Sequence, residues 1–296
     1  MPVRFDDIGD RLKAFRLSSG LTVEEITKNA QISRAALYRY ERGEVAKIET
    51  LVRLADLLGV SIETLMGVGV EYLSSAVAFF ERMRQIEETV DQIVVLFGPV
   101  SYLLTSSEYD KNLKQVLTES IPANSETQIK SKQDIELVMR ILARRKEQYF
   151  NRKPGIVSIV SASEMERFLR NGMVGNTNLS KETRQRRRAF AVKEAERVIS
   201  ILEDEPIGVQ LGVVEDTVPQ SSFQIFSQPD RPLLAVSPFR LGENPNIRVG
   251  VAMITPAHEA VTLHKETARE LWSRSVKGKD AAFLIKKLIK NIMLNT

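Results

Sequence analysis

Cysteine is absent from all 296 residues, so neither a disulfide nor a thiolate metal site can form. Histidine is almost absent, with only His258 and His264. Six residues apart on one predicted helix, they are turned by about 600° and make a poor metal pair. No metal and no cofactor is expected. No P-loop, G-x-G-x-x-G or G-x-S-x-G run occurs. Asp216, Asp230 and Glu215 fall near strand ends without a clustered nucleophile, base and acid, so an enzyme is not expected. No apolar run approaches the roughly 20 residues of a membrane span, and the N-terminus has no apolar signal region. A cytoplasmic location is the corresponding expectation.

What is present is an ordinary globular composition, 43% hydrophobic and 27% charged, long enough for two domains or one large one. The formal net charge is only +4, and residues 1–67 carry ten Lys/Arg against ten Asp/Glu. The local distribution is more telling. Between 28 and 42 lie Lys28, Arg34, Arg39 and Arg42 against one acid, Glu41. A basic face of this size suffices for phosphate contacts, which make binding salt-dependent.

The stretch TVEEITKNAQISRAALYRYERG, residues 22–43, reads as a short helix, a tight turn and a second helix. Thr22 sits at an N-cap and Glu25 completes a capping box. Ile26 and Ala30 face inward, Gln31 and Ile32 make the turn, Ser33 caps the second helix, and Gly43 stops it. Ala36, Leu37 and Tyr40 can face a core, which leaves Arg34, Ala35, Tyr38 and Arg39 outward. This is the helix-turn-helix pattern, whose second helix enters the major groove of DNA.

Together with IGDRLKAFRLSSG before it and IETLVRLADLLGVSIETL after it, residues 8–66 resemble the Cro/C1-type (Xre-family) DNA-binding domain of phage repressors and bacterial regulators. The resemblance implies a lambda-repressor-like domain of five helices, at about 7–17, 22–29, 33–41, 48–58 and 61–66. It also implies a buried ion pair between Arg16 and Glu41, a structural role. Base reading carries over to Arg34, Ala35 and Arg39. An arginine can bond bidentately to guanine, and an alanine methyl can pack on thymine. Thr22, Ser33, Tyr38 and Arg42 are placed for phosphates. Val23 stands where a glutamine often touches the DNA backbone, and its side chain removes that polar contact. Thr27 replaces a small alanine, and Gln31 replaces a turn glycine.

In 70–98 the apolar residues Tyr72, Ala76, Phe79, Met83, Ile86, Val90, Ile93 and Phe97 keep a 4-3-4-3-4-3-4 spacing. That is a heptad seam, and it predicts a long linker helix that pairs two copies in a coiled coil. Phe80, Val94 and Leu96 widen the stripe toward the alternative, a helix packed on its own C-terminal domain.

After Gly98-Pro99, helices are expected at 100–120, 131–150, 164–172 and 180–204, and at about 256–275 and 279–293. Strands are expected at 155–162, 207–214, 222–227, 232–239 and 247–254. The fold class is thus multidomain: an all-α DNA-binding domain (1–68), a linker and dimerisation helix (69–98), and an α/β domain (99–296). The run FQIFSQPDRPLLAVSPFR faintly resembles phospholipase-D-like sensor domains, without their catalytic H-x-K-x-x-x-x-D element. That implies ligand binding without hydrolysis. The basic run 184–188 reads foremost as a solvated helix face. Its alternatives are an anion pocket with Arg240 and Arg248, or an extra nucleic-acid contact. The leading functional reading is a homodimeric, sequence-specific transcriptional regulator on a palindromic operator, controlled by a small-molecule effector bound to the C-terminal domain. The alternatives are an antitoxin-like or protein-partner-binding regulator, and an enzyme-like C-terminal domain with an autoregulatory DNA-binding module.

Overall fold

The computed structural model describes residues 5–44, 46–96, 98–122, 128–176, 178–228 and 231–294. Five helices come first: α1 (Phe5–Ser19), α2 (Val23–Ala30), α3 (Arg34–Tyr40), α4 (Ile48–Leu58) and α5 (Ile62–Met66). Their ends have local causes. Thr22, Ser33 and Ser61 accept hydrogen bonds from the amides of Glu25, Ala36 and Thr64, which satisfies donors left free by the first turn. Gly59 and Gly67 close α4 and α5 in the left-handed conformation. Leu12, Ile26, Leu37, Leu54 and Leu65 are fully buried in one core, each burial contributing about 1.5–3 kcal/mol. Gly9 lets α1 lie directly on the end of α3. A Cβ there would meet the carbonyl oxygens of Tyr40 and Glu41 at 2.6 and 2.8 Å.

The rest of the described chain is a mixed sheet with helices on both faces. In order come β1 (Glu71–Leu73), α6 (Ala76–Glu87), β2 (Gln92–Leu96), α7 (Ser107–Glu119), α8 (Gln128–Arg152), β3 (Gly155–Ser161), α9 (Ala162–Asn171) and α10 (Lys181–Asp204). They are followed by β4 (Val209–Val214), β5 (Phe223–Ser227), β6 (Leu233–Val236), β7 (Ala252–Thr255), α11 (His258–Arg274), β8 (Val276–Lys277) and α12 (Gly278–Leu294). The strand order is β1-β7-β6-β5-β2-β3-β4-β8. β2, β3 and β4 run parallel, each joined to the next through helices, and the remaining pairings are antiparallel. Ile93, Ile156, Val213 and Phe226 point to the face covered by α6, α8, α9, α10 and α12. Leu96, Ile159, Val214 and Ile225 point to the face covered by α11 through Val261, Ala268 and Leu271.

The first of these cores is continuous with that of the five N-terminal helices. Polar contacts reinforce the junction. Arg11 Nε donates to Glu71 Oε1 at 2.6 Å and Arg82 Nε to Glu71 Oε2 at 3.0 Å, with all three side chains buried. Desolvation alone would raise the Glu71 carboxyl, but the guanidiniums of Arg82 and Arg11 together hold it below the usual carboxylate range. Gln85 Nε2 donates to the Asp10 carbonyl at 2.9 Å, and Arg231 pairs with Asp7 at 2.7 Å. Gly67 has no side chain because the Arg11 guanidinium fills that space, 2.2 Å from where a Cβ would stand.

The long helix expected over 70–98 does not form. Tyr72 lies in β1, Ala76, Phe79, Met83 and Ile86 in α6, Val90 in the connection and Ile93 in β2. Phe97 lies outside the described residues. Ser75 caps α6 afresh after β1, and the β-branched run Ile93-Val94-Val95 favours a strand after Glu87. Of the twelve residues of α6 all but Arg84 are buried, so no seam is left for a second copy. Ala76, Phe79, Met83, Ile86, Val90 and Ile93 are core residues of their own chain, and Tyr72 is exposed. Residues 69–98 are therefore no separate linker. Residues 71–96 supply β1, α6 and β2 to the C-terminal domain.

The strand expected at 247–254 is shortened to Ala252–Thr255. Asn246 folds the residues before it into a turn, donating to the Val249 carbonyl at 2.7 Å and accepting from the amides of Arg248 and Val249, both at 3.1 Å.

Candidate nucleic-acid interface

Helices α2 and α3 are locked by their own caps. Thr22 Oγ1 accepts from the Glu25 amide at 3.2 Å and donates to Glu25 Oε2 at 2.8 Å, while the Thr22 amide donates to the same carboxylate at 2.7 Å. These bonds, the backbone one foremost, hold the Glu25 carboxyl below its ordinary range. The turn is made by Gln31 at φ 55°, ψ 47°, a left-handed conformation that disfavours any residue with a Cβ. Its amide hydrogen-bonds the Lys28 carbonyl, so the turn closes with a glutamine in a conformation that favours glycine.

Arg16 and Glu41 tie α1 to the end of α3. Arg16 Nε donates to Glu41 Oε1 and Nη2 to Oε2, the latter at 3.1 Å. The pair is bidentate and mostly shielded from solvent, which fixes geometry as well as charge. With Gly9 on the other side of the contact, α3 is held by its inner face and its outer face is left free.

That outer face carries Ser33, Arg34, Ala35, Tyr38 and Arg39, all exposed, and Arg42 is exposed just beyond its end. An α-helix is about 10–12 Å across with its side chains, which matches a major groove about 12 Å wide. Ser33 Oγ accepts from the Ala36 amide, which leaves its hydroxyl proton for a phosphate. Thr22, by contrast, spends both its proton and its acceptor on Glu25, so it acts first as a cap. Val23 is half-buried and packs on the core.

Two acids on this face are not evident from the sequence. Glu24 pairs with Arg34, and Glu44 lies 3.5 Å from Arg39. Both pairs are more than half exposed, so exchanging them for phosphate or base edges costs little. Arg42 and Lys28 are ion-paired to no other described residue. For Glu24 the signal is tertiary, since it precedes its partner by ten residues across a turn.

Elsewhere the candidate residues disperse. Arg187 is buried, donating to the Met173 carbonyl at 3.0 Å and pairing with Glu119. Arg188 donates to the Arg170 carbonyl at 2.5 Å, and Arg240 to the Gln220 carbonyl at 2.5 Å. His264 Nδ1 lies 2.8 Å from the Ala260 carbonyl, and its ring packs edge-on against Phe223. Asp216 pairs with Arg274, and Asp230 lies outside the described residues. Among the described residues no group of three or more His, Asp or Glu could hold a metal, and no helix is long and apolar enough to cross a membrane.

A family model described as a helix-turn-helix domain matches residues 7–66. The N-terminal domain is a helix-turn-helix domain, and the match supports a DNA-binding regulator. No curated protein and no solved structure matches the chain. The family match stops at residue 66, so the faint likeness of the C-terminal part to phospholipase-D-like sensors has no counterpart in it.

Proposed function

We propose that this protein is a sequence-specific transcriptional regulator that reads DNA with the outer face of α3. The observation that supports it is the set of exposed side chains Arg34 and Arg39 on, and Arg42 just beyond, a helix fixed from behind by the Arg16–Glu41 pair. Arg34, Ala35 and Arg39 take the base edges, and Ser33, Tyr38 and Arg42 take phosphates. One chain offers one reading head. Two copies on an inverted repeat, with half-sites about one helical turn apart, are the arrangement such heads use. Their contact surface is not the stripe from Ala76 to Ile93, which the chain's own core consumes.

The C-terminal domain is the sensor in this reading and not an enzyme. A ligand acts there by preferring one of two arrangements of the junction around Glu71, since a ligand without such a preference shifts nothing. The test is selection of bound duplexes from a random pool by the full chain at stated salt. An enriched inverted repeat is the expected result. A pool that stays random, with and without cell extract as a source of effector, would reject the reading.

A further inference from the structure

A cleft of about 510 Å³ opens where the helix-turn-helix domain meets the sheet domain. Its size lies within the roughly 300–1,000 Å³ of small-molecule sites, and domain junctions are where such sites concentrate. Four segments distant in sequence form it: Ser18 near the end of α1, residues 74–77 at the start of α6, the first turns of α8, and the loop 247–249.

Its lining carries more positive than negative side chains. Lys130 and Arg248 line it, both exposed, and neither is ion-paired to another described residue. One acid, Asp134, shares the lining. Desolvation raises its carboxyl, and Lys130 pulls it the other way. Hydroxyls of Ser18, Ser74, Ser75 and Ser131 add polar contacts. Ser18 donates to the Phe15 carbonyl and Ser75 accepts from the Val77 amide, so each keeps hydrogen-bonding capacity for a ligand. The opposite character is present too. Val77, Val138 and Ile247 back the cleft, and Val249 is held 74% exposed by the Asn246 turn.

We propose that this cleft binds a small organic anion, its charged group between Lys130 and Arg248 and its apolar body over Val249, bridging the two domains. The proposal rests on the effector reading above and names the effector's class and seat. Such a ligand would touch α1 and the sheet domain together, so its affinity would depend on how they are docked.

The test is a fluorescence titration of the full chain with 8-anilinonaphthalene-1-sulfonate, an anion with an apolar body, in the absence of DNA. Saturable one-to-one binding is expected. Lys130→Ala with Arg248→Ala should weaken it at least tenfold, Lys130→Arg should keep it, and Arg186→Ala should leave it unchanged. Both substituted cations are exposed, so folding is not at stake. Binding by the double variant equal to the parent, or no saturable binding, would overturn the proposal. Because no DNA is present, a failed duplex selection leaves a positive titration standing. A successful selection with no anion binding removes this site and leaves the DNA reading intact.

Discussion

Arg34 and Arg39 on α3, and Arg11 and Arg82 at the domain junction, are the same side chain in two employments. The first two are more than half exposed and lean on acids that water already screens. The second two are at most 4% exposed and share one buried carboxylate, Glu71. What separates them is desolvation. An exposed guanidinium keeps its hydration and can trade partners at little cost, whereas a buried one is bound to the partner that justifies its burial. The exposed set is therefore fit to meet a ligand, and the buried set is fit to hold two domains in register.

The largest effect that would sharpen this contrast comes from Glu71→Ala. It leaves two buried guanidiniums without their carboxylate and should cost about 3–5 kcal/mol in urea unfolding. Glu24→Ala, by the same measurement, should change stability by less than about 0.5 kcal/mol. Equal effects would break the contrast. The pH dependence has a definite sign. Because the folded Glu71 carboxyl is depressed, its contribution is present above the unfolded glutamate value of about 4.3 and is lost as pH falls through the folded one. Asp10, raised foremost by desolvation, acts oppositely and contributes as it becomes protonated. A Glu71→Gln variant should lose less stability than the parent on acidification, and an identical acid profile would count against the pair.

Next in size is Gly9→Ala, where backbone of the α3 end cannot yield, expected to cost about 2–3 kcal/mol on the same unfolding curve. A Gly9→Ala variant as stable as the parent would show that α3 is not gripped from behind at this point. Arg39→Ala should leave stability within about 0.5 kcal/mol but reduce discrimination between a selected and a random duplex by about 1–3 kcal/mol. Competition binding reads this directly, and unchanged discrimination would remove Arg39 from the base-reading set. Smallest is Gln31→Gly. It relieves a left-handed residue and should raise stability by about 1 kcal/mol, with no change in which sequence is bound.

The two halves of the chain also differ in how far their sequence discloses them. In the first 66 residues the determinants are local. Thr22 with Glu25, Ser33, Ser61 and the glycines at 59 and 67 fix helix ends from within a turn or two. The partnership of Arg16 with Glu41 came from resemblance, because nothing local joins residues 25 apart. In 70–98 the apolar spacing fits a helix by coincidence. Ile86, Val90 and Ile93 face one core from a helix, a connection and a strand, so periodicity alone cannot separate them. The short strands Glu71–Leu73 and Val276–Lys277 exist only by pairing with β7 and β4, and a partner distant in sequence leaves no local pattern. The same limit hid the pairing of Glu24 with Arg34 on the reading face. It also hid the cleft, whose lining comes from segments up to about 230 residues apart in the sequence.

In the proposed reading α3, and not the arginine-rich α10, meets DNA. Amide hydrogen exchange of the full chain, with and without the selected duplex, tests it most directly. Slowed exchange is expected across residues 22–43 and none across 181–190. Slowing confined to 181–190, with 22–43 unchanged, would contradict it.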